Sequence, residues 1–208
     1  MIIKDIVNLA KYSELSAVAT KDNVEAITAF INLGMIELYK KFPIKVEEHV
    51  VNLVDGTMYY EMPENFMYVL SAYGEIPEAS TVKSSPIPIN EEDCDYSIFF
   101  VDWNTVQIPS SITGSYVSII YVAKPEPITS VQADDGVTVL DLPDTLVDAL
   151  LSYVGYRGHL GVKSDSQAEN NAHWARFERN CKRAVESGVA YPADSMSMSK
   201  RVSDRGFV

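Results

Sequence analysis

The side chains able to do chemistry here fall into three groups: histidines, a run of carboxylates, and a row of guanidiniums near the C-terminal end. His49, His159 and His173 form no HExxH and no close pair at the two- to five-residue spacing that zinc takes, so they are expected to be structural and no metal is expected. Cys94 and Cys181 stand far apart with no CxxC and read as packing thiols. In Glu91-Glu92-Asp93-Cys94-Asp95-Tyr96-Ser97, the residues Asp93, Asp95 and Ser97 occupy the first alternating positions of a calcium loop. Ile98 then stands where that loop needs glycine, and Asn104 where it needs a bidentate glutamate, so the stretch reads as a solvated acidic turn. No GxSxG, GxxxxGK[ST] or GxGxxG motif is present. Paired carboxylates for proton transfer could come from many acidic residues, but spacing does not select two of them. No catalytic residue and no cofactor are expected.

What remains is contact chemistry. Arg176, Arg179 and Arg183 recur at steps of three and four with Lys182 beside them, while Trp174 and Cys181 lie on the opposite helix face. Such a row pairs with carboxylates, either of this chain's own acidic middle or of an acidic partner chain, or else meets water. Tyr153, Tyr156 and Arg157 crowd the preceding helix at a density that suits a core edge or an interface. Lys200, Arg201, Arg205 and Phe207 form a cationic and apolar tag on a tail that is either inert or folds on a neighbour. Trp103, Tyr59 and Tyr60 could serve as stacking platforms of a carbohydrate- or protein-binding module.

Elements must position these groups. Val24, Ile27, Ile31, Met35, Leu38 and Phe42 share one face of a helix over 22–42, with Asp22 and Glu25 as a capping box and Pro43 as the stop. A shorter amphipathic piece precedes it over 3–9, with Ile2, Ile6 and Leu9 on one side. From Lys45 the period becomes two, and Asp55-Gly56 predicts a hairpin between 45–54 and 58–62. Further strands are expected at 67–73, 97–101, 106–108 and 116–123, with a surface loop over 75–95. Helices return after Leu140. Pro143 opens one whose stripe is Leu146, Val147, Leu150, Leu151 and Val154. Ser164 and Gln167 cap another that runs to Ser187, with Trp174, Phe177, Cys181, Ala184 and Val185 on its apolar face and Gly188 as its stop.

The expected fold class is α+β: an antiparallel helical bundle formed by the N-terminal helix and the C-terminal helix pair, with an inserted antiparallel β sandwich or barrel. The divisions read as an N-terminal helical part at 1–43, a β-rich insert at 44–141, a helix pair at 142–188 and a flexible tail at 189–208. Charge follows these divisions. Residues 1–43 hold five basic and five acidic side chains, 44–156 hold three and eighteen, and 157–208 hold nine and six. An acidic middle repels phosphate and makes a poor nucleic-acid binder. At 208 residues with 47% hydrophobic and 22% charged content, the chain reads as soluble and globular, which excludes wholesale disorder. Its uncharged runs are too short to cross a bilayer, and its start lacks a basic and then apolar leader, so no membrane association is expected.

Four stretches together carry a resemblance. They are Gly34-Met35-Ile36-Glu37-Leu38-Tyr39-Lys40-Lys41-Phe42-Pro43, Val117-Ser118-Ile119-Ile120-Tyr121-Val122-Ala123-Lys124-Pro125, Val139-Leu140-Asp141-Leu142-Pro143 leading into Ala149-Leu150-Leu151-Ser152-Tyr153-Val154-Gly155-Tyr156-Arg157, and Ala168-Glu169-Asn170-Asn171-Ala172-His173-Trp174-Ala175-Arg176-Phe177. In this order they resemble the head-to-tail adaptor (connector or neck) proteins of tailed bacteriophages, over residues 3–187. The resemblance implies a virion structural protein made in the host cytoplasm and no catalysis. It further implies a homo-oligomeric ring of about twelve copies under the portal, joining capsid to tail and surrounding the channel through which double-stranded DNA passes. The portal protein and a downstream tail protein would be its partners.

Overall fold

The computed structural model describes residues 1–74, 85–160 and 167–188, without the side chains of residues 19 and 167–171. These residues form two compact units, one from Met1–Ile44 with Pro125–Pro192, the other built on Lys45–Lys124. The fold is α+β: helices with two antiparallel sheets. Among the described residues no helix is long and apolar enough to cross a membrane.

In the helical unit, α1 (Ile3–Leu9) runs into a π-helical turn (Ala10–Glu14) and then a 3-10 turn (Ala19–Asp22), before α2 (Val24–Lys41). The inward face of α1 is Ile3, Ile6 and Val7, while Leu9 is 42% exposed, so the stripe expected on Ile2, Ile6 and Leu9 is displaced. The π turn follows at once, with Leu15 N donating to Ala10 O at 2.9 Å. Its extra residue per turn rotates everything after Ala10 relative to a regular helix, and Glu14 with it. α2 is capped by Asn23, whose side chain accepts from Ala26 N at 3.0 Å. The expected cap, Asp22, instead closes the 3-10 turn and pairs with Lys11 at 2.9 Å. One residue later, the amide side chain reaches the open N–H that a cap must satisfy.

The C-terminal part of this unit holds α3 (Ser130–Asp134), a 3-10 turn (Asp144–Leu146), α4 (Val147–His159) and α5 (Gln167–Glu186). α3 was not expected from periodicity, being only five residues long, yet Thr129 and Gln132 form a full capping box. Pro143 stands before the 3-10 turn, and Gly188 (φ +70°) follows α5 as expected. Ser164 of the expected capping box and Gly161 of the expected link lie outside the described residues. α4 and α5 are antiparallel: contacts pair Ser152 with Asn180, Tyr153 with Phe177, Tyr156 with Trp174 and His159 with His173. α2 packs on α4 at Gly34, where a Cβ would stand 2.6 Å from Leu150 Cδ1 and 3.1 Å from Tyr153 Cδ1. Asn32 ties α2 to the chain before α3, donating to Ile128 O (2.9 Å) and accepting from Ile128 N (2.8 Å). Tyr39 is buried, and its hydroxyl donates to Asp141 O at 3.1 Å. Burial, with Asp141 and Glu126 nearby, pushes that phenol up to about 12.

In the β unit, β1 (Val46–Asn52), β3 (Phe66–Gly74), β4 (Ser85–Ile87) and β7 (Tyr116–Ala123) form one sheet in the order β1-β7-β3-β4. The other sheet is β2 (Tyr59–Glu61), β6 (Thr105–Gln107) and β5 (Phe99–Phe100), in the order β2-β6-β5. Both contribute to a single core that includes Val51, Phe66, Ala72, Val106, Val117 and Ile119, and Phe66 of one sheet stacks on Phe100 of the other at 5.4 Å. The expected hairpin is corrected in part. The turn at Asp55-Gly56 is present, with Gly56 at φ +79° and Thr57 N donating to Val54 O. Its two arms do not pair: β1 is registered along β7 from Val46↔Val122 to Asn52↔Tyr116, and β2 along β6. Strand partners follow side-chain burial rather than turn chemistry, and β7, buried along most of its length, offers seven registered positions. The Tyr60 hydroxyl holds the turn by accepting from Val54 N and donating to Thr57 O, both at 3.0 Å. Inside the expected surface loop, β4 pairs with β3 and places Pro86 on a sheet edge, where its missing N–H breaks no ladder. The part of that loop at 75–84 lies outside the described residues.

Filling the contact at Gly34 tests this packing. Gly34→Val is expected to lower stability by about 1–3 kcal/mol through overpacking, read as a fall in thermal midpoint with unchanged far-ultraviolet dichroism before the transition. An unchanged midpoint would contradict the close α2–α4 approach.

Candidate functional site

α5 carries the guanidinium row, so what holds α5 decides what that row can meet. Its inward face is Phe177, Cys181 and Ala184, all buried, with the Phe177 ring contributing roughly 1.5–3 kcal/mol. Burial pushes the Cys181 thiol up to about 11, which leaves it neutral and inert as a packing group. Toward the start of α5, four rings interlock. Tyr153 lies 5.5 Å from Phe177 and 6.5 Å from Trp174, while Trp174 lies 5.1 Å from Tyr156 and 5.2 Å from Phe177. Tyr153 and Phe177 are buried, Tyr156 is half-buried, and Trp174 keeps 37% of its surface exposed. Burial also raises the Tyr153 phenol above its ordinary value.

A polar fastening sits beside these rings. The Glu14 carboxylate, at the end of the π turn, accepts from Arg176 Nη1 at 3.0 and 3.1 Å, and His173 Nδ1 lies 3.0 Å from the same group. The His173 ring stacks on His159 at 4.8 Å, and His159 Nε2 donates to the Glu14 carbonyl oxygen at 3.1 Å. Gly155 makes room: a Cβ there would stand 2.5 Å from His173 Nδ1. His173 first and Arg176 second hold the Glu14 carboxyl below its usual range, against the opposing effect of burial. Among the described residues no three His, Cys, Asp or Glu side chains gather as a metal-binding group.

The row is thereby divided. Arg176 is neutralised by Glu14, a partner in the first segment of the chain rather than in its acidic middle. Lys182 pairs with Glu186 at 3.8 Å. Arg179 and Arg183 are exposed and form no ion pair with any described residue. They line an open cleft of about 290 Å³ with Glu14, Asp148, Leu151, Ser152, Arg176 and Asn180. Asn180 is fixed there, donating to Asp148 O (3.2 Å) and Ser152 Oγ (3.3 Å). Arg157 is half-buried on α4, and its Nε has no hydrogen-bond partner among the described residues. Lys200, Arg201, Arg205 and Phe207 lie outside the described residues. Of the aromatic platforms on the β unit, Tyr60 is spent on its turn, while Tyr59 is exposed and Trp103 is 66% exposed under a cation–π contact from Lys124 at 5.1 Å. Glu14 and Asn180 were not singled out from sequence, and His173 was read as structural with no partner named, because nothing in their local spacing points to partners so distant along the chain.

A family model described as the SU10 adaptor protein matches the chain over residues 3–199. The chain belongs to the SU10 adaptor protein family. That membership makes it a phage structural adaptor, in accord with the resemblance drawn from its sequence. A search of curated proteins finds no match.

Glu14→Gln tests the fastening. Because the folded carboxyl titrates lower than the unfolded one, its contribution is present above about pH 4.5 and is lost as pH falls through the folded value. The variant is expected to be less stable by about 1–2 kcal/mol at neutral pH, with the difference from wild type shrinking below pH 4. A difference that stays constant into acid would contradict the ion-paired geometry.

Proposed function

We propose that this adaptor builds a ring of about twelve copies beneath the portal, joining capsid to tail around the DNA channel. The portal and the next tail protein are its partners, and double-stranded DNA passes through without sequence-specific binding. The family match across residues 3–199 carries this reading. Charge supports it: between residues 44 and 156 the chain holds eighteen acidic side chains against three basic ones. A wall of that sign repels phosphate and lets DNA slide instead of sticking. The contact residues on the helix pair would be Trp174, Tyr156, Arg157, Arg176, Arg179 and Arg183, with the buried Tyr153 supporting Trp174 from behind and Lys200, Arg201, Arg205 and Phe207 of the tail reaching a neighbour. Trp174 offers a large aromatic surface fixed by its ring neighbours, so little side-chain entropy is lost when a partner covers it. The protein would reside in the virion, at the junction of head and tail.

Mixing the purified chain with portal particles tests this, read by native mass spectrometry and electron microscopy. At low protein concentration and physiological salt the chain alone is expected to be monomeric or weakly associated, and to close into a ring on the portal. Images without ring density, with and without portal, would contradict the proposal. Deleting residues 192–208 is expected to leave the melting temperature unchanged and to weaken attachment to the portal. A truncated chain that melts far below full length would overturn the assignment of the tail to contact rather than to folding.

A further inference from the structure

On α5, Arg179 and Arg183 form no ion pair with any described residue, and the β unit offers their complement. Arg179 and Arg183 stand one turn apart on α5 and line the cleft, with Asn180 between them already committed to the α4 backbone and Ser152. The fastening of Arg176 to Glu14 fixes the helix on which they ride. An arginine pair so placed, with no carboxylate among the described residues within ion-pair distance, is prepared for carboxylates from outside.

Residues 45–124 carry twelve acidic side chains against three basic ones. Four of the twelve, Glu91, Glu92, Asp93 and Asp95, lie in one turn, all exposed and none in an ion pair with a described residue. The turn satisfies its own backbone. Ser97 Oγ accepts from Glu91 N at 2.9 Å, Cys94 N donates to Glu91 O at 3.3 Å, Ser97 N donates to Cys94 O at 3.0 Å, and Ser111 Oγ donates to Asp95 O. The preceding residue, Asn90, takes a positive φ of 56° and accepts from Phe100 N through its side chain at 3.0 Å. With the backbone bonds closed internally, the carboxylates are left to face outward, and the shape that presents them needs little ordering on contact.

We propose that the Arg179–Arg183 cleft of one copy receives the Glu91–Asp95 turn of a second copy. The contact is head-to-tail, since every chain contributes one cleft and one turn, and repetition of such a contact generates a ring or a filament. It rests on the ring reading above and names the surfaces that would join neighbours within it. Asp148 and Glu14 also line the cleft and oppose an anion beside them, so the acidic turn is placed against the two arginines. A contact of this kind sets register and partner choice and weakens with salt.

Sedimentation velocity on the full chain, at high protein concentration and low ionic strength, reads this directly. Wild type is expected to associate with concentration and to dissociate on adding salt. Arg179→Glu/Arg183→Glu and, separately, Glu92→Arg/Asp93→Arg are each expected to weaken association by roughly tenfold or more. Mixing these two variants restores it, because each supplies the sign the other's surface now needs. Arg179→Gln/Arg183→Gln repeats the loss without introducing new charge, and thermal melts confirm that the variants fold. Absence of association in wild type, indifference to either substitution, or failure of the mixture to recover would each overturn the contact. Portal particles separate this from the ring reading: a ring that forms unchanged with Arg179→Glu/Arg183→Glu removes this contact and keeps the ring, while no ring with wild type removes the ring itself.

Discussion

The helical unit depends on one carboxylate in the right place. Glu14 receives Arg176 and lies against His173, while its own carbonyl accepts from His159. It therefore binds the start of the chain to both members of the C-terminal helix pair. Its position follows from the π turn over Ala10–Glu14, which rotates the chain just where α1 ends. Two glycines keep the approach open. A Cβ at Gly155 would collide with the His173 ring, and one at Gly158 would stand 2.2 Å from Leu15 Cδ2. Apolar burial by Phe177, Leu150 and Ile31 supplies most of the stabilisation of this unit; the ion-paired carboxylate fastens Arg176 beside that buried face.

The β unit is organised by a different constraint. β7 runs down the middle of the larger sheet, buried along most of its length and paired on both sides, so β1 and β3 take their register from it. A small polar network finishes the arrangement. The Tyr121 hydroxyl lies 2.9 Å from Glu47 Oε2 and 3.0 Å from Asn65 Oδ1, while Asn65 Nδ2 donates to Glu47 at 2.8 Å. Burial and the Glu47 charge together push the Tyr121 phenol up to about 12, so it stays a proton donor across the range in which the protein works. With the sheets tied in this way, acidic residues can accumulate on the outside as in the Glu91–Asp95 turn, since none of them is needed to close the core.

Much of the architecture was legible in the sequence. The long repeat of apolar residues from Val24 to Phe42, the stripe of α4 and the alternation before Ala123 each reflect burial of one face of a regular element, which leaves a periodic trace. Pairing was less legible. Asp55-Gly56 specifies a turn and nothing more, so the two strands beside it could be assigned to each other from sequence although they belong to different sheets. Short pieces such as α3 and β4 hold too few residues to show a period. The site was half legible. The spacing of Arg176, Arg179 and Arg183 placed them on one helix face, but nothing local distinguishes the arginine that meets Glu14 from the two that meet no described partner. That distinction is made by the π turn, and by contacts between residues remote in sequence.

α5 is held in place before any partner arrives, presenting its outer face ready-made. Amide hydrogen exchange on the isolated chain tests this most directly. Residues 172–186 are expected to be protected to the same degree as residues 147–159, because the two helices share rings, hydrogen bonds and a buried face. Rapid exchange throughout 172–186, beside a protected 147–159, would contradict it.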